Sequence, residues 1–591
     1  MKQLLTGNEA IARAAYEAGA RFASAYPGTP SSEILANITQ YKEIHAEWAP
    51  NEKVGLEAVV GASMAGVRAI SSMKHVGLNV AADPLFTFAY TGVNGGTVII
   101  TADEPGQHSS QNEQDNRWFA IAAKLPMLEP SNSAECRDMV VQAFELSEKY
   151  DTPVLVRVTT RICHSKGIVE LKDRIDHTPV EYKKDAAKFV MVPANARERR
   201  AVVEKRMDGL QVFADETPFN YIKMGGNIGV IASGCAYHFA REVFGGDVSY
   251  LKLGFTHPLP NNLLDKFAES VDEIYIIEEN DPYLMMWVKA QGYASKVRDV
   301  FPKFGELTPD VLRRVLNKNV PPMIEYDKEA VLPRPPALCA GCPHRGFYYA
   351  LARRKELVVT GDIGCYTLGF SPPFSAMDSC LCMGGAFSLG HGFNIAMKMA
   401  GVNKRAVGVL GDSTFFHTGI NSLTEVVYNN SNTICVILDN RITGMTGGQE
   451  HPGTGKDARG NTAPQADIAE VCKALGVPLI QQIDPNDITA VDTALDKALA
   501  FDGPSVIITR WPCVLKRLDK DEIEEYGNPF KTKYAVNESC IGCKVCLKCG
   551  CPAIAMDGSL ANINKITCVG CGVCRQVCPV DAIILDSEVS K

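Results

Sequence analysis

The sequence has no uninterrupted apolar run of the roughly 18 residues that a bilayer-spanning helix takes. Its first stretch, MKQLLTGNEAIARAAYEAGA, breaks the apolar pattern early with Thr6, Asn8 and Glu9. A membrane-spanning or exported chain is therefore not expected, and a cytoplasmic one is. A basic excess is lacking too: 60 Lys and Arg stand against 68 Asp and Glu, a formal charge of −8. That balance excludes a whole-protein attraction to nucleic acid or anionic lipid. The low hydrophobicity of disordered chains is also missing, since 46% of residues are hydrophobic and 22% charged. Small molecules and proteins are the expected partners.

At 591 residues the chain is about four times the usual ~150-residue domain, so several packed domains are expected. β-Branched runs such as TVIIT at 97–101, VLVRV at 154–158, AVGVL at 406–410, TICVIL at 433–438 and SVIIT at 505–509 recur between helical stretches. This alternation predicts an α/β fold with parallel sheets. Five prolines between Val320 and Pro336 suit a semi-rigid connection. Eight of the ten residues from Lys516 to Glu525 are charged and are followed by Gly527 and Pro529, which predicts a solvated separator. A weaker charged connection is read around 185–225, from NARERRAVVEKRMDG. The domains expected are 1–185, 186–325, 326–525 and 526–591.

Nine of the 20 cysteines lie in the last 52 residues. Without an export signal, such density predicts metal rather than cystine. Cys568, Cys571, Cys574 and Cys578-Pro579 spell C-x2-C-x2-C-x3-C-P, and Cys540, Cys543 and Cys546 repeat the first three at an offset of 28 residues. This is the run of bacterial two-cluster ferredoxins, in which three close thiolates hold one 4Fe-4S cluster and the Cys before Pro crosses to the other. The upstream fourth ligand is Cys551, which precedes Pro552, or Cys549; the first is favoured. A pair of zinc sites is the alternative, at a spacing zinc seldom uses.

After the strand AVGVL come Gly411, Asp412 and Ser413, and after TICVIL come Asp439 and Asn440, 28 residues beyond Asp412. If the two strands are parallel, both turns share a carboxyl edge, where open α/β sheets bind phosphorylated ligands. An Asp carboxylate, an Asn amide oxygen and a backbone carbonyl are the hard donors that Mg²⁺ takes. The pattern resembles the thiamine-diphosphate motif, GDG followed some thirty residues later by N, with Ser413 in place of the last Gly. Carried over, that motif places Mg²⁺ on Asp412, Asn440 and the carbonyl of Ile442, with Gly411 and Ser413 beside the diphosphate. Two ordinary strand-ending turns are the plainer reading.

Longer segments widen the resemblance. YPGTPSSEI at 26–34, EKVGLEAVVGASMAGVRA at 52–69, KHVGLNVAADPL at 74–85, HSSQNEQDNR at 108–117 and CAGCPHRG at 339–346 look like the 2-oxoacid:ferredoxin oxidoreductases over essentially the whole chain. The fold this implies is a multidomain thiamine-diphosphate-enzyme architecture. It comprises a pyrimidine-binding domain, a transketolase C-terminal-like α/β domain, a diphosphate domain and a small two-cluster ferredoxin domain. Glu52 falls on the family's catalytic Glu, and Thr29 on the threonine that approaches the keto acid. Arg117 is a candidate anchor for the substrate carboxylate, and His75 and His108 are candidate pocket residues. Cys339, Cys342 and His344, which in isolation read as zinc ligands, are placed by the resemblance near the thiazolium together with Cys365.

The activity implied is oxidative decarboxylation of an aryl 2-oxoacid, indolepyruvate first and phenylpyruvate second, to an arylacetyl-CoA. Electrons would leave singly through the tail clusters to an external ferredoxin. Coenzyme A is the co-substrate, and the chain is the alpha subunit beside a smaller beta subunit, paired as alpha2beta2. Phe415, Phe416 and His417 are candidates for an aromatic wall. The rivals are a non-oxidative thiamine decarboxylase and an electron-transfer subunit that binds no thiamine.

Overall fold

The computed structural model of the protein describes every residue except Met323, Pro333, Asn528, Pro529 and 589–591. Pro333 and Pro529, two marks of the predicted connections, thus lie outside the described residues. The chain falls into two compact units, Met1–Tyr326 and Asp327–Lys591. Among the described residues no helix is long and apolar enough to cross a membrane.

The first unit is built on two sheets. One has seven strands in the order Phe255–His257, Met127–Leu128, Val154–Thr159, Thr97–Asp103, Ala69–Lys74, Phe22–Ala25, His45–Trp48, parallel except for the first. Its central strands Ala69–Lys74, Thr97–Asp103 and Val154–Thr159 are buried along their whole length, as parallel strands covered on both faces must be. The other has five strands in the order Val297–Arg298, Glu273–Ile277, Ile228–Ser233, Ser249–Leu253, Tyr221–Lys223, with the last antiparallel. Lys2–Thr6 pairs with Lys166–Glu170 in a separate antiparallel ribbon.

The stretch expected as a charged connection is instead a 24-residue helix, Pro193–Glu216, with proline at its start. Val203, Arg206, Leu210 and Ala214 are its buried residues, spaced three to four apart. Arg206 points inward and donates to the carbonyls of Ala89 at 2.7 Å and Tyr150 at 2.8 Å. The charges crowd the outer face and mask the stripe beneath them.

The second unit holds a six-stranded sheet, wholly parallel, in the order Ser379–Cys380, Leu357–Gly361, Arg405–Gly411, Ile434–Asp439, Ser505–Arg510, Leu479–Ile483. The predicted solvated separator is partly buried. Asp519 caps helix Lys520–Tyr526, and Glu522 of that helix forms an ion pair with Lys516 at a site closed to solvent. Beyond it, two small antiparallel pairs, Tyr534–Val536 with Ile583–Leu585 and Ile554–Asp557 with Leu560–Ile563, frame the cysteine-rich tail. The tail has a small core of its own, with Cys546, Ala553, Ile554, Ala561, Ile563, Cys568 and Ile583 buried together, while its Cys549 and Val573 belong to the cluster that contains Phe347, Tyr348, Val407 and Val436.

Candidate coenzyme and cluster sites

In the first unit Glu52 opens helix Glu52–Met64, and Asn51 caps it by accepting from the Val54 amide at 2.9 Å. A carboxylate there meets the positive end of the helix dipole, yet Glu52 is only 5% exposed. Two glycines permit this placement. A Cβ on Gly55 would lie 3.2 Å from the Ala49 Cβ, and one on Gly77 would lie 2.6 Å from Oε1 of Glu52.

The neighbouring strand ends bring the other quoted segments together. Lys74 ends its strand and donates from Nζ to the Ser109 carbonyl at 3.0 Å, with Oε2 of Glu104 at 3.2 Å. The 108–117 segment is thereby tied to the carboxyl edge of the sheet. His75 is fully buried, with Nε2 3.3 Å from the Asn112 carbonyl and Nδ1 unpartnered. Burial and the Lys74 cation hold its imidazole below the usual range. Thr29 follows strand Phe22–Ala25 at the same edge and is partly exposed. His108 lies outside this group, half exposed and 3.6 Å from Glu306.

Arg117 does not serve as a carboxylate anchor. It is 1% exposed, and its guanidinium is filled by Asp115 (2.5 Å), Glu278 (3.1 Å) and the carbonyls of Glu279 (2.9 Å) and Asp281 (3.1 Å). Nε, Nη1 and Nη2 are all engaged within the protein, at a site closed to solvent. Arg117 fastens the first sheet to the residues that follow strand Glu273–Ile277 of the second, a structural duty that its distance from His108 in sequence could not reveal.

In the second unit the strands Arg405–Gly411 and Ile434–Asp439 are adjacent and parallel, with Gly411 opposite Leu438. Asp412 and Asn440 therefore stand on one carboxyl edge. The turn continues through Arg441 at φ 64°, and the Ile442 amide donates to Oδ1 of Asn440 at 3.3 Å. Asp412 Oδ1 accepts from the Ser413 amide at 2.8 Å. Oδ2 faces Nε2 of His451 at 3.1 Å without hydrogen-bond alignment, so both buried atoms are unsatisfied. Burial and the Asp412 charge push Asp439 up to about 6. At Asp412 burial is outweighed by His451, which keeps this carboxyl ionised, as a metal ligand must be. An ionised carboxylate with an unsatisfied oxygen, an amide oxygen and a turn carbonyl are donors that fit Mg²⁺ on a diphosphate.

His344 closes the pocket floor, with Nε2 3.4 Å from the Asn440 side chain. Burial pushes its imidazole down to about 4. Tyr366 lies across Gly411, where a Cβ would come within 2.5 Å of the ring, and its hydroxyl is 2.8 Å from Oγ1 of Thr414. Phe415 is plain core at 0% exposure, whereas the Phe416 ring lies 5.9 Å from that of His451.

Cys513 is a residue the sequence reading missed. Its amide donates to the Asn440 carbonyl at 2.9 Å, and Gly444 has both the Cys513 and Cys365 sulfurs within 4.0 Å of its would-be Cβ. Burial lifts the Cys365 thiol to about 11, and the neighbouring thiols of Cys513 and Cys339 add to the effect. Cys342 is likewise raised by burial, with Cys513 and Cys365 contributing. Cysteines from three separate segments, 339–342, 365 and 513, thus share one neighbourhood beside the diphosphate turn.

The tail encloses two small cavities. One is lined by Cys540, Cys543, Cys546 and Cys578, the other by Cys551, Cys568, Cys571 and Cys574. Each therefore takes three close cysteines and one crossing partner. Cys549 lines neither and is 1% exposed. Four soft donors around a closed, apolar space fit a 4Fe-4S cluster.

Three domain families match this chain: pyruvate flavodoxin/ferredoxin oxidoreductase, thiamine diP-binding, at residues 13–212; thiamine pyrophosphate enzyme, C-terminal TPP-binding domain, at 362–509; and the 4Fe-4S binding domain at 561–584. The chain is 40% identical to indolepyruvate oxidoreductase subunit IorA of Methanothermobacter thermautotrophicus over 98% of this chain and 97% of that one. It is 38% identical to the subunit of the same name from Thermococcus kodakarensis, over 98% and 96%. A solved 2-oxoglutarate:ferredoxin oxidoreductase from Magnetococcus marinus is similar over 54% of this chain and 65% of that one, at 17% identity and a TM-score of 0.46. With the likeness to the IorA subunits running over 98% of the chain and the thiamine and 4Fe-4S domains both matched, the chain belongs to the thiamine-dependent 2-oxoacid:ferredoxin oxidoreductases, among the indolepyruvate oxidoreductase large subunits.

Proposed function

We propose that this chain is the catalytic alpha subunit of an enzyme that oxidatively decarboxylates aryl 2-oxoacids, indolepyruvate and with it phenylpyruvate, to arylacetyl-CoA. Ferredoxin receives the electrons. The observation that carries this reading is the shared carboxyl edge of Asp412 and Asn440, in the same unit as two cavities each ringed by four cysteines. Bound thiamine diphosphate supplies a carbon nucleophile for the 2-oxo group and an electron sink for loss of the carboxylate.

We assign Asp412, Asn440 and the Ile442 carbonyl to Mg²⁺, and Gly411 and Ser413 to the diphosphate. Glu52 takes the hydrogen bond to the aminopyrimidine, and Thr29 approaches the 2-oxoacid. Cys540, Cys543, Cys546 and Cys578 hold one cluster, and Cys551, Cys568, Cys571 and Cys574 the other. Cys339, Cys342, Cys365 and Cys513 add four soft donors next to the coenzyme, enough for a further centre. Iron analysis separates the cases, about eight irons per chain without it and about twelve with it. A smaller beta subunit, coenzyme A and an alpha2beta2 assembly complete the reading, and the aryl preference is supported by the name the relatives carry.

The test is substrate profiling of the anaerobically purified alpha–beta complex with indolepyruvate, phenylpyruvate, pyruvate and 2-oxoglutarate. Ferredoxin reduction and acyl-CoA formation are both read. Indolepyruvate is expected to have the highest kcat/KM; preference for pyruvate, or acyl product without ferredoxin reduction, sinks the reading.

A further inference from the structure

Arg345 stands between the Cys339–Cys342 loop and the cysteine-rich tail. It is 1% exposed. Its Nε donates to the Cys339 carbonyl at 2.7 Å, and Nη1 donates to the Cys549 carbonyl at 3.1 Å and to that of Gly550. Among the described residues Nη2 has no partner although it is buried. A buried donor left unsatisfied costs about 1–3 kcal/mol, and a guanidinium out of water costs more unless negative charge lies near. The chain nevertheless shapes itself to this side chain. Gly550 adopts φ +60°, and a Cβ there would lie 3.2 Å from Nη1 and 3.0 Å from Pro373. A glycine between two cysteines, puzzling by sequence spacing alone, is the seat of the arginine.

The turn that Nη1 holds through the Cys549 and Gly550 carbonyls runs directly into Cys551, which lines the second cavity. Burial depresses the guanidinium pKa, while Cys551, Cys342, Cys571 and Cys339 oppose that effect. Cys551 and Cys571 line the second cavity and not the first.

We propose that Arg345 is a positioning residue that donates from Nη2 to a sulfur of the cluster held by Cys551, Cys568, Cys571 and Cys574, and thereby raises its reduction potential. This rests on the cluster assignment above. A cluster gains one negative charge when reduced, so a fixed cation and an N–H···S bond in a low-dielectric setting favour the reduced state. Through the Cys339 carbonyl the same side chain joins the coenzyme-side loop to the Cys549–Cys551 turn. It is thus placed to make the second cluster the one that fills first.

The experiment is an anaerobic redox titration of the intact alpha–beta complex, followed by electron paramagnetic resonance, for the wild type, Arg345→Gln and Arg345→Lys. Cys543→Ser identifies the signal of the first cluster. In Arg345→Gln the second cluster is expected to be at least tenfold less reduced at the wild-type midpoint, with the first cluster unmoved. Arg345→Lys, which keeps the charge and loses the fork, should fall between. A second-cluster midpoint unchanged in both variants overturns the inference and leaves the cluster assignment standing. Absence of two cluster signals in the wild type overturns both.

Discussion

Gly77 and Glu52 approach so closely that any side chain at 77 would push the carboxyl group aside: a Cβ there would meet Oε1, Cγ and Cδ of Glu52 at 2.6, 2.7 and 2.9 Å. The position of the carboxyl group is therefore set by a residue 25 places further along the chain.

Replacing Glu52 with Gln is expected to lower 2-oxoacid-dependent ferredoxin reduction by roughly 100-fold or more, the range for loss of a general acid–base group. Iron content should stay at the wild-type value. Gly77→Ala, which keeps the carboxyl group but displaces it, should lower kcat by about tenfold. Full activity in Gly77→Ala would show that the placement of Glu52 is not critical.

His451 offers a second test. The Gly453 amide approaches its Nδ1 at 3.2 Å, which leaves Nε2 as the ring nitrogen that faces Asp412. His451→Leu removes that nitrogen from the diphosphate edge and is expected to weaken binding of thiamine diphosphate with Mg²⁺ by about tenfold, near 1.4 kcal/mol. His451→Gln, with a donor at similar reach, should lose less. Calorimetric titration of the apoenzyme reads this without turnover.

The tail ligands can be separated by single substitutions. Cys551→Ser is expected to lower iron by up to about four atoms per chain or to leave a labile cluster. Cys549→Ser should keep its iron, because Cys549 is buried in the apolar core and lines neither cavity. Equal iron loss in the two variants would contradict the cavity assignment.

Acid should destabilise the fold in a defined window. Burial pushes both His257 and His344 down to about 4, against about 6.5 in an unfolded chain. Between these values the unfolded state binds more protons. The stabilisation is complete above pH 6.5 and is lost as pH falls toward 4, with each histidine accounting for roughly 2 kcal/mol at pH 5. Nδ1 of His257 is 2.8 Å from the Leu125 carbonyl, so His257→Asn preserves a donor without the titration. Its melting temperature should fall less steeply between pH 7 and 5 than that of the wild type.

What could be read from the residues follows the range of the interaction. The cluster cysteines are legible because their spacing is local and repeated, and Asp412 and Asn440 because each ends an apolar strand. Cys513 gives no such sign. It reaches Asn440 because the chain after strand Ser505–Arg510 continues beside the 439–440 turn, with the Trp511 amide on the Asp439 carbonyl at 3.1 Å. Arg117 misleads for the same reason, since Glu278 and Asp281 are remote in sequence. Helix Pro193–Glu216 is hidden differently: its density of charge masks the three-to-four spacing of Val203, Arg206, Leu210 and Ala214.

Val573 and Cys549 pack with Phe347 and Tyr348 in one apolar cluster. Without the tail that cluster keeps Phe374, Ile488 and Leu495 but loses Cys549 and Val573, so the coenzyme-binding half is fully packed only once the cysteine-rich segment has been made. Maturation of the inorganic centres and closure of that half are then one event, and an iron-starved cell would accumulate subunits defective in both.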